Sequence, residues 1–228
     1  MAPNPGLRER GKRNRRRRIL DAAERLIRES GSTDFTIAEL ADQAVVSVPT
    51  IYNLLGSKAG ILYALLNRSL DPLTSNQGQL ETAADPVESL MVAARRGTDI
   101  FVDDPDFYRP LYRYLLGVGD AVHRPLFLER SRQYWVEALK PLQAAGQLLS
   151  RKIGEQLART LVLGFMGALD LWVQSELDHR QFRAQVLHDA GLILLGFATD
   201  DQRSGLLRQL RQQQNCLPSR FEAAAASE

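Results

Sequence analysis

The chain has 228 residues, 44% of them apolar and 25% charged, with a formal net charge of +2. That balance excludes a disordered chain and suits either one large domain or a small domain joined to a larger one. Its single cysteine, Cys216, excludes an internal disulfide framework and a cysteine-based metal cluster, and fits a reducing, cytoplasmic setting.

The charge is unevenly spread. Residues 1–18 hold eight basic side chains against Glu9, a net of +7, which leaves −5 on the other 210 residues. A basic start on an acidic body attracts a polyanion, with nucleic acid ahead of an anionic membrane. The first dozen residues contain Pro3, Pro5, Gly6 and Gly11 and are expected to stay flexible until bound. Arg15, Arg16, Arg17 and Arg18 then extend from a helix predicted over 15–30. Its inward face is Ile19, Leu20, Ala23, Leu26 and Ile27, and its stop is Gly31.

Thr36 and Glu39 have the spacing of a capping box and open a short helix that carries Ile37, Leu40, Ala41 and Ala44 inward. After a turn, Ser47 is placed to cap a third helix beginning Val48, Pro49, Thr50. Proline is tolerated there because its missing N–H would have no partner in the first turn. Ile51 and Leu55 share the inward face, and Gly56 ends the helix. Ser57 begins a fourth, which runs through Ile61, Leu62, Leu65 and Leu66 to Asp71 and Pro72.

Two short helices joined by a tight turn can hold the second in the major groove, where each base pair displays its own donor and acceptor pattern. Val48, Pro49, Thr50 and Asn53 are the outward candidates for base contact, with Tyr52 and Lys58 for phosphates. Ordinary solvated surface is the competing account of each.

A polar, turn-rich segment covers 72–86, and further helices are predicted over 87–103, 106–117, 122–145, 154–177, 180–199 and 203–215. The fold class is therefore all-α, a three-helix unit with a helix-turn-helix followed by a larger helical bundle. The apolar run 160–169 is short for a bilayer and belongs in a core. His123, His179 and His188 lack metal-ligand spacing and Cys216 has no identifiable base, so no catalytic site, cofactor or metal is expected.

The stretch FTIAELADQAVVSVPTIYNLLGSKAGILYALL, behind one amphipathic helix and ahead of a helical bundle, resembles the tetracycline-repressor (TetR) family of transcriptional regulators. The resemblance places Thr36 at the family's capping threonine, and Ser47, Thr50 and Tyr52 at a cap, a small contact residue and a phosphate-binding tyrosine. It places Lys58 at the family's lysine opening the fourth helix. Val45 stands where the family often has glycine, Leu54 and Leu55 where it has histidine then phenylalanine, and Gly60 where it has an acidic residue.

The resemblance implies a ligand-responsive regulator, most simply a repressor of a palindromic operator, with an activator or co-repressor-dependent regulator as alternatives. The division it implies is DNA binding over 13–58 and ligand binding and dimerisation over 59–215, with 1–12 and 216–228 flexible. Reading a palindrome requires a homodimer, for which Leu161, Gly164, Ala168, Trp172, Ala190, Leu194 and Phe197 are the candidate contacts. Phe107, Tyr112, Tyr114, His123, Phe127, Trp135 and Phe165 are the candidates to line a pocket for a small, largely apolar effector. No membrane partner is expected.

Overall fold

The computed structural model describes residues 6–71, 73, 85–148 and 150–218. Among these are ten helices of eight residues or more and no strand. They are α1 (Leu7–Ser30), α2 (Ile37–Ala44), α3 (Val48–Leu55), α4 (Lys58–Ser69), α5 (Pro86–Val102), α6 (Pro105–Leu116), α7 (His123–Ala144), α8 (Arg151–Val173), α9 (His179–Leu195) and α10 (Asp200–Gln214).

The first helix departs from expectation. It begins at Leu7 rather than Arg15, so the helix includes residues 7–12 and carries the whole arginine run. Its packed part starts only at Ile19, which is fully buried with Ala22, Ala23 and Ile27. Gly31 closes it in the left-handed region, φ 64°, with its N–H on the Ile27 carbonyl. Residues 1–5 and 219–228, and most of the 72–86 segment, lie outside the described residues.

Helix α2 opens with the expected capping box. The Glu39 N–H donates to the Thr36 hydroxyl at 3.1 Å, and the Thr36 N–H donates to the Glu39 carboxylate at 2.7 Å. It ends in paired bonds from the Val46 N–H to the Ala41 carbonyl and from the Val45 N–H to the Asp42 carbonyl. This closure needs a left-handed residue, and Val45 adopts that conformation at φ 52°, ψ 53°. Ser47 takes the extended cap conformation of α3 without a capping bond to the backbone. Its hydroxyl pairs with that of Thr50 at 2.8 Å.

Packing divides the chain elsewhere than at residue 58. One compact unit comprises the chain up to Arg68 together with Pro105–Phe127; the other comprises Ser69–Asp104 and the chain from Leu128 onward. In the first unit, Arg68 of α4 ties to Asp21 at 2.5 Å and to Glu24 of α1. Arg28 of α1 lies 4.7 Å over the Phe107 ring of α6. In the second unit α9 is the central helix, packed by α5, α8 and α10, with Phe182, Ala190 and Leu194 fully buried.

Helix α8 starts at Arg151, three residues earlier than expected, because the Ser150 hydroxyl accepts the Ile153 N–H and caps it. Its Lys152–Val173 segment is long and apolar enough to cross a membrane by length and composition. Within the unit, however, Ala158, Leu161, Leu169, Trp172 and Val173 of that segment are buried in the core.

Candidate nucleic-acid interface

Helix α3 is a two-sided element. Ile51 and Leu55 are buried at 1% and 3% exposure, while Pro49, Tyr52 and Asn53 face solvent, Tyr52 at 50%. Val48 and Thr50 are half-buried. The sequence therefore presents the phenol of Tyr52 and the amide of Asn53 outward, on a helix anchored by apolar contacts. Asn53 can both donate to and accept from a base edge, and Tyr52 can reach a phosphate. Thr50 shares its hydroxyl with Ser47 through one hydrogen bond, which leaves its methyl and the rest of that hydroxyl's bonding capacity for an incoming group.

The α3–α4 corner is tight. Gly56 ends α3 at φ 76° with its N–H on the Tyr52 carbonyl, and the Ser57 hydroxyl accepts the Gly60 N–H at 3.0 Å. A Cβ on Gly60 would lie 2.1 Å from the Leu55 carbonyl oxygen and 2.9 Å from Cε1 of His123. The departure at Gly60 therefore has a steric cause: only hydrogen fits beneath the last carbonyl of α3. His123 is held there by Asp120, whose carboxylate lies 3.0 Å from its Nδ1 and accepts the His123 and Val122 backbone N–H groups. These bonds to His123 and Val122 keep the Asp120 carboxyl below its usual range despite its burial.

Two of the basic candidates are engaged within the fold. The Arg18 guanidinium donates to the Ala44 carbonyl through Nε at 3.0 Å and also to the Val45 carbonyl, so it braces the end of α2. The Lys58 ammonium donates to the Phe35 carbonyl at 2.7 Å and lies 4.6 Å over the Phe35 ring and 5.7 Å over that of Tyr114. Burial pushes its pKa down, against the pull of Asp34 and Glu39. Thr36 is likewise occupied with Glu39, to whose carboxylate its hydroxyl donates at 2.9 Å. Arg15, Arg16 and Arg17 are exposed on α1.

The expected pocket residues fall into separate groups. In the first unit Phe107 lies beneath Arg28, Tyr114 beside Lys58, and His123 at the α3–α4 corner, while Tyr112 and Tyr63 pack on Phe127, each at 6.3 Å. Burial pushes the Tyr112 phenol pKa strongly up. Trp135 and Phe165 belong to the second unit, 6.2 Å apart. There Phe165 is a hub, also touching Phe101 at 5.8 Å and Phe182 at 5.7 Å. Phe182, stacked on Trp172 at 5.6 Å, was not among the sequence candidates because it stands alone among polar neighbours near the start of α9.

The expected dimer contacts divide by burial. Leu161, Ala168, Trp172, Ala190 and Leu194 are buried within their own unit at 5% exposure or less. Gly164 and Phe197 are only partly covered. The exposed residues of α8 are instead Lys152, Gln156, Arg159, Thr160, Leu163 and Gly167, and Leu192 stands out on α9.

A sequence profile described as "Bacterial regulatory proteins, tetR family" matches residues 19–65. The HTH-type transcriptional activator FasR of Mycolicibacterium smegmatis is 32% identical over 155 residues, 67% of either chain. Among solved structures, SmeT, the repressor of the Stenotrophomonas maltophilia multidrug efflux pump SmeDEF, superposes with a TM-score of 0.59 at 20% identity, covering 93% of this chain and 96% of SmeT. A gamma-butyrolactone receptor, an ArpA-like protein, gives 0.52 at 16% identity, covering 90% of this chain and 98% of its own.

Proposed function

The chain belongs to the tetR family of bacterial regulatory proteins, and from that premise we propose that it binds a palindromic DNA operator as a cytoplasmic homodimer and releases it on taking up a small, largely apolar molecule. It is a transcriptional regulator, as its relatives are. Regulators of this family bind DNA and small-molecule effectors, typically as dimers. The observation that carries the DNA half of the proposal is α3, whose Tyr52 and Asn53 project from a helix seated on Ile51 and Leu55.

We assign base contact to Asn53 and Thr50, with support from Val48 and Pro49, and phosphate contact to Tyr52 and Arg15 to Arg17. Arg18, Thr36, Ser47 and Lys58 hold that surface in place through the bonds described above. The effector half draws support from the aromatic hub of the second unit, Phe101, Trp135, Phe165 and Phe182, and from the gamma-butyrolactone receptor among the structural neighbours. Dimerisation we assign to the outward faces of α8 and α9, through Leu163 and Leu192.

A second reading, activation, is favoured by one observation: the 32% identical FasR is a transcriptional activator. Protection of DNA from the regulator's own genomic neighbourhood, followed by a panel of single-base operator variants, tests the proposal. Asn53→Ala should relax preference at one or two positions by about 1–3 kcal/mol each, whereas Tyr52→Phe should weaken every variant alike. An unchanged preference profile for Asn53→Ala and Thr50→Ala removes α3 from base reading. Transcription from the protected promoter, with and without the regulator, gives the sign.

A further inference from the structure

We propose that residues 7–18, the first three turns of α1, are a helical arm whose folding is coupled to duplex DNA flanking the half-site, and that Gly11 sets the strength of that coupling. The inference rests on the DNA-binding reading above.

From Arg8 to Arg18 the sequence is RERGKRNRRRR, with no apolar residue, and every side chain in it is exposed. A helix without an apolar stripe takes nothing from burial, and an isolated helix of this length is marginal in water. Arg13 stands three and four residues from Arg16 and Arg17, so like charges meet along the helix and oppose it. The Lys12–Glu9 pair, 3.4 Å apart with both side chains more than half exposed, offsets little of this.

Gly11 weakens the arm further without a packing reason. A Cβ there would meet nothing closer than the mobile guanidinium of Arg15, at 3.6 Å. Glycine in a helix interior lowers the helical population about fivefold relative to alanine. An arm that is costly to fold alone becomes favourable once its repelling charges face phosphates.

Two observations point to DNA as the occupant. Arg10, Arg13, Asn14 and Arg17, at helical spacings of three, four and seven, share one exposed face of the arm. Seven residues of helix span about 10 Å, about three phosphates of one strand at ~3.4 Å of axis each. The root of the arm is also fixed to the reading unit, because Arg18 is bonded to the carbonyls of Ala44 and Val45 just ahead of α3. Phosphates beside the groove that α3 enters therefore lie within reach of the arm. An anionic membrane would require an apolar face, which the arm lacks.

The test uses the full chain, wild type, Gly11→Ala and Gly11→Pro, with a duplex of about 30 base pairs of arbitrary sequence. Affinity is read by fluorescence anisotropy and helicity by circular dichroism, with phosphatidylglycerol vesicles as a second polyanion. Expected are a gain of helicity when wild type meets duplex, a smaller gain for Gly11→Ala, and up to about fivefold tighter binding by that variant. Gly11→Pro should bind more weakly than wild type, and all three should keep the same base preferences. Equal affinities with no helicity change on duplex overturn the arm while leaving the DNA reading intact, as does a helicity gain with vesicles but not with duplex. Failure of all three proteins to bind any duplex overturns the DNA reading and the arm together.

Discussion

Val45 is the residue most at odds with its backbone. A β-branched side chain in the left-handed region is strained by roughly 1–2 kcal/mol, and at 77% exposure it recovers nothing by burial. The turn persists because Arg18 holds its carbonyls and because Val46 and Val45 close the end of α2. Glycine at 45 removes that strain at the cost of a freer unfolded chain, about 0.5–1 kcal/mol. Val45→Gly should therefore stabilise the protein by about 0.5–1 kcal/mol in urea unfolding, and Val45→Ala should change it less. A loss of stability in Val45→Gly would mean that the valine makes a contact of its own.

At this scale the sequence was readable where its signals are local. The Thr36 and Glu39 pair, three residues apart, could form only one kind of cap, and Pro49 with Gly56 bracketed α3 to the residue. Sequence pattern alone offers Lys58 to a phosphate and Arg18 to the basic run, because nothing local reveals the Phe35 and Ala44 carbonyls that receive them. Those partners lie 23 and 26 residues away in sequence.

Among the elements, α3 depends most on its neighbours. Its last carbonyl, that of Leu55, is set against Gly60 so closely that a single methyl group forces the corner open. Gly60→Ala should cost about 1–3 kcal/mol by overpacking. It should also weaken operator binding at temperatures where circular dichroism shows the chain fully folded, since the angle of the reading helix changes. His123→Ala in the same chain relieves the ring but not the carbonyl, so the double variant should stay impaired. Full recovery would make the imidazole, and not the helix terminus, the limiting contact. The start of α1 is not legible for a related reason: periodicity detects a helix through its buried face, and residues 8–18 have none.

For the whole molecule, apolar periodicity located α8 and α9 but could not say which stripe faces inward. Leu161 and Leu194 are buried and Leu163 and Leu192 exposed although all four are leucines, so residue type alone does not separate the core stripe from the open one. The two sets make opposite predictions. Leu163→Asp, at a position 63% exposed, should raise the dimer dissociation constant tenfold or more in sedimentation and leave the unfolding of each chain little changed. Trp172→Ala should instead unfold the chain, by about 3–5 kcal/mol. A dimer unaffected by Leu163→Asp would move the interface off this face.

The unit that carries α3 is assembled from two stretches of chain, the first 68 residues and 105–127. Phe107, Tyr114, His123 and Phe127 from the second stretch pack on Arg28, Lys58, Gly60 and Tyr63 from the first. A hybrid regulator made by joining residues 1–68 to a foreign body would inherit the reading helix without the side chains that seat it. Tyr63 would meet solvent or a stranger. Exchange of specificity between such proteins, in the laboratory or by recombination, has to carry the internal stretch as well, so what looks like a detachable head is inherited as two pieces.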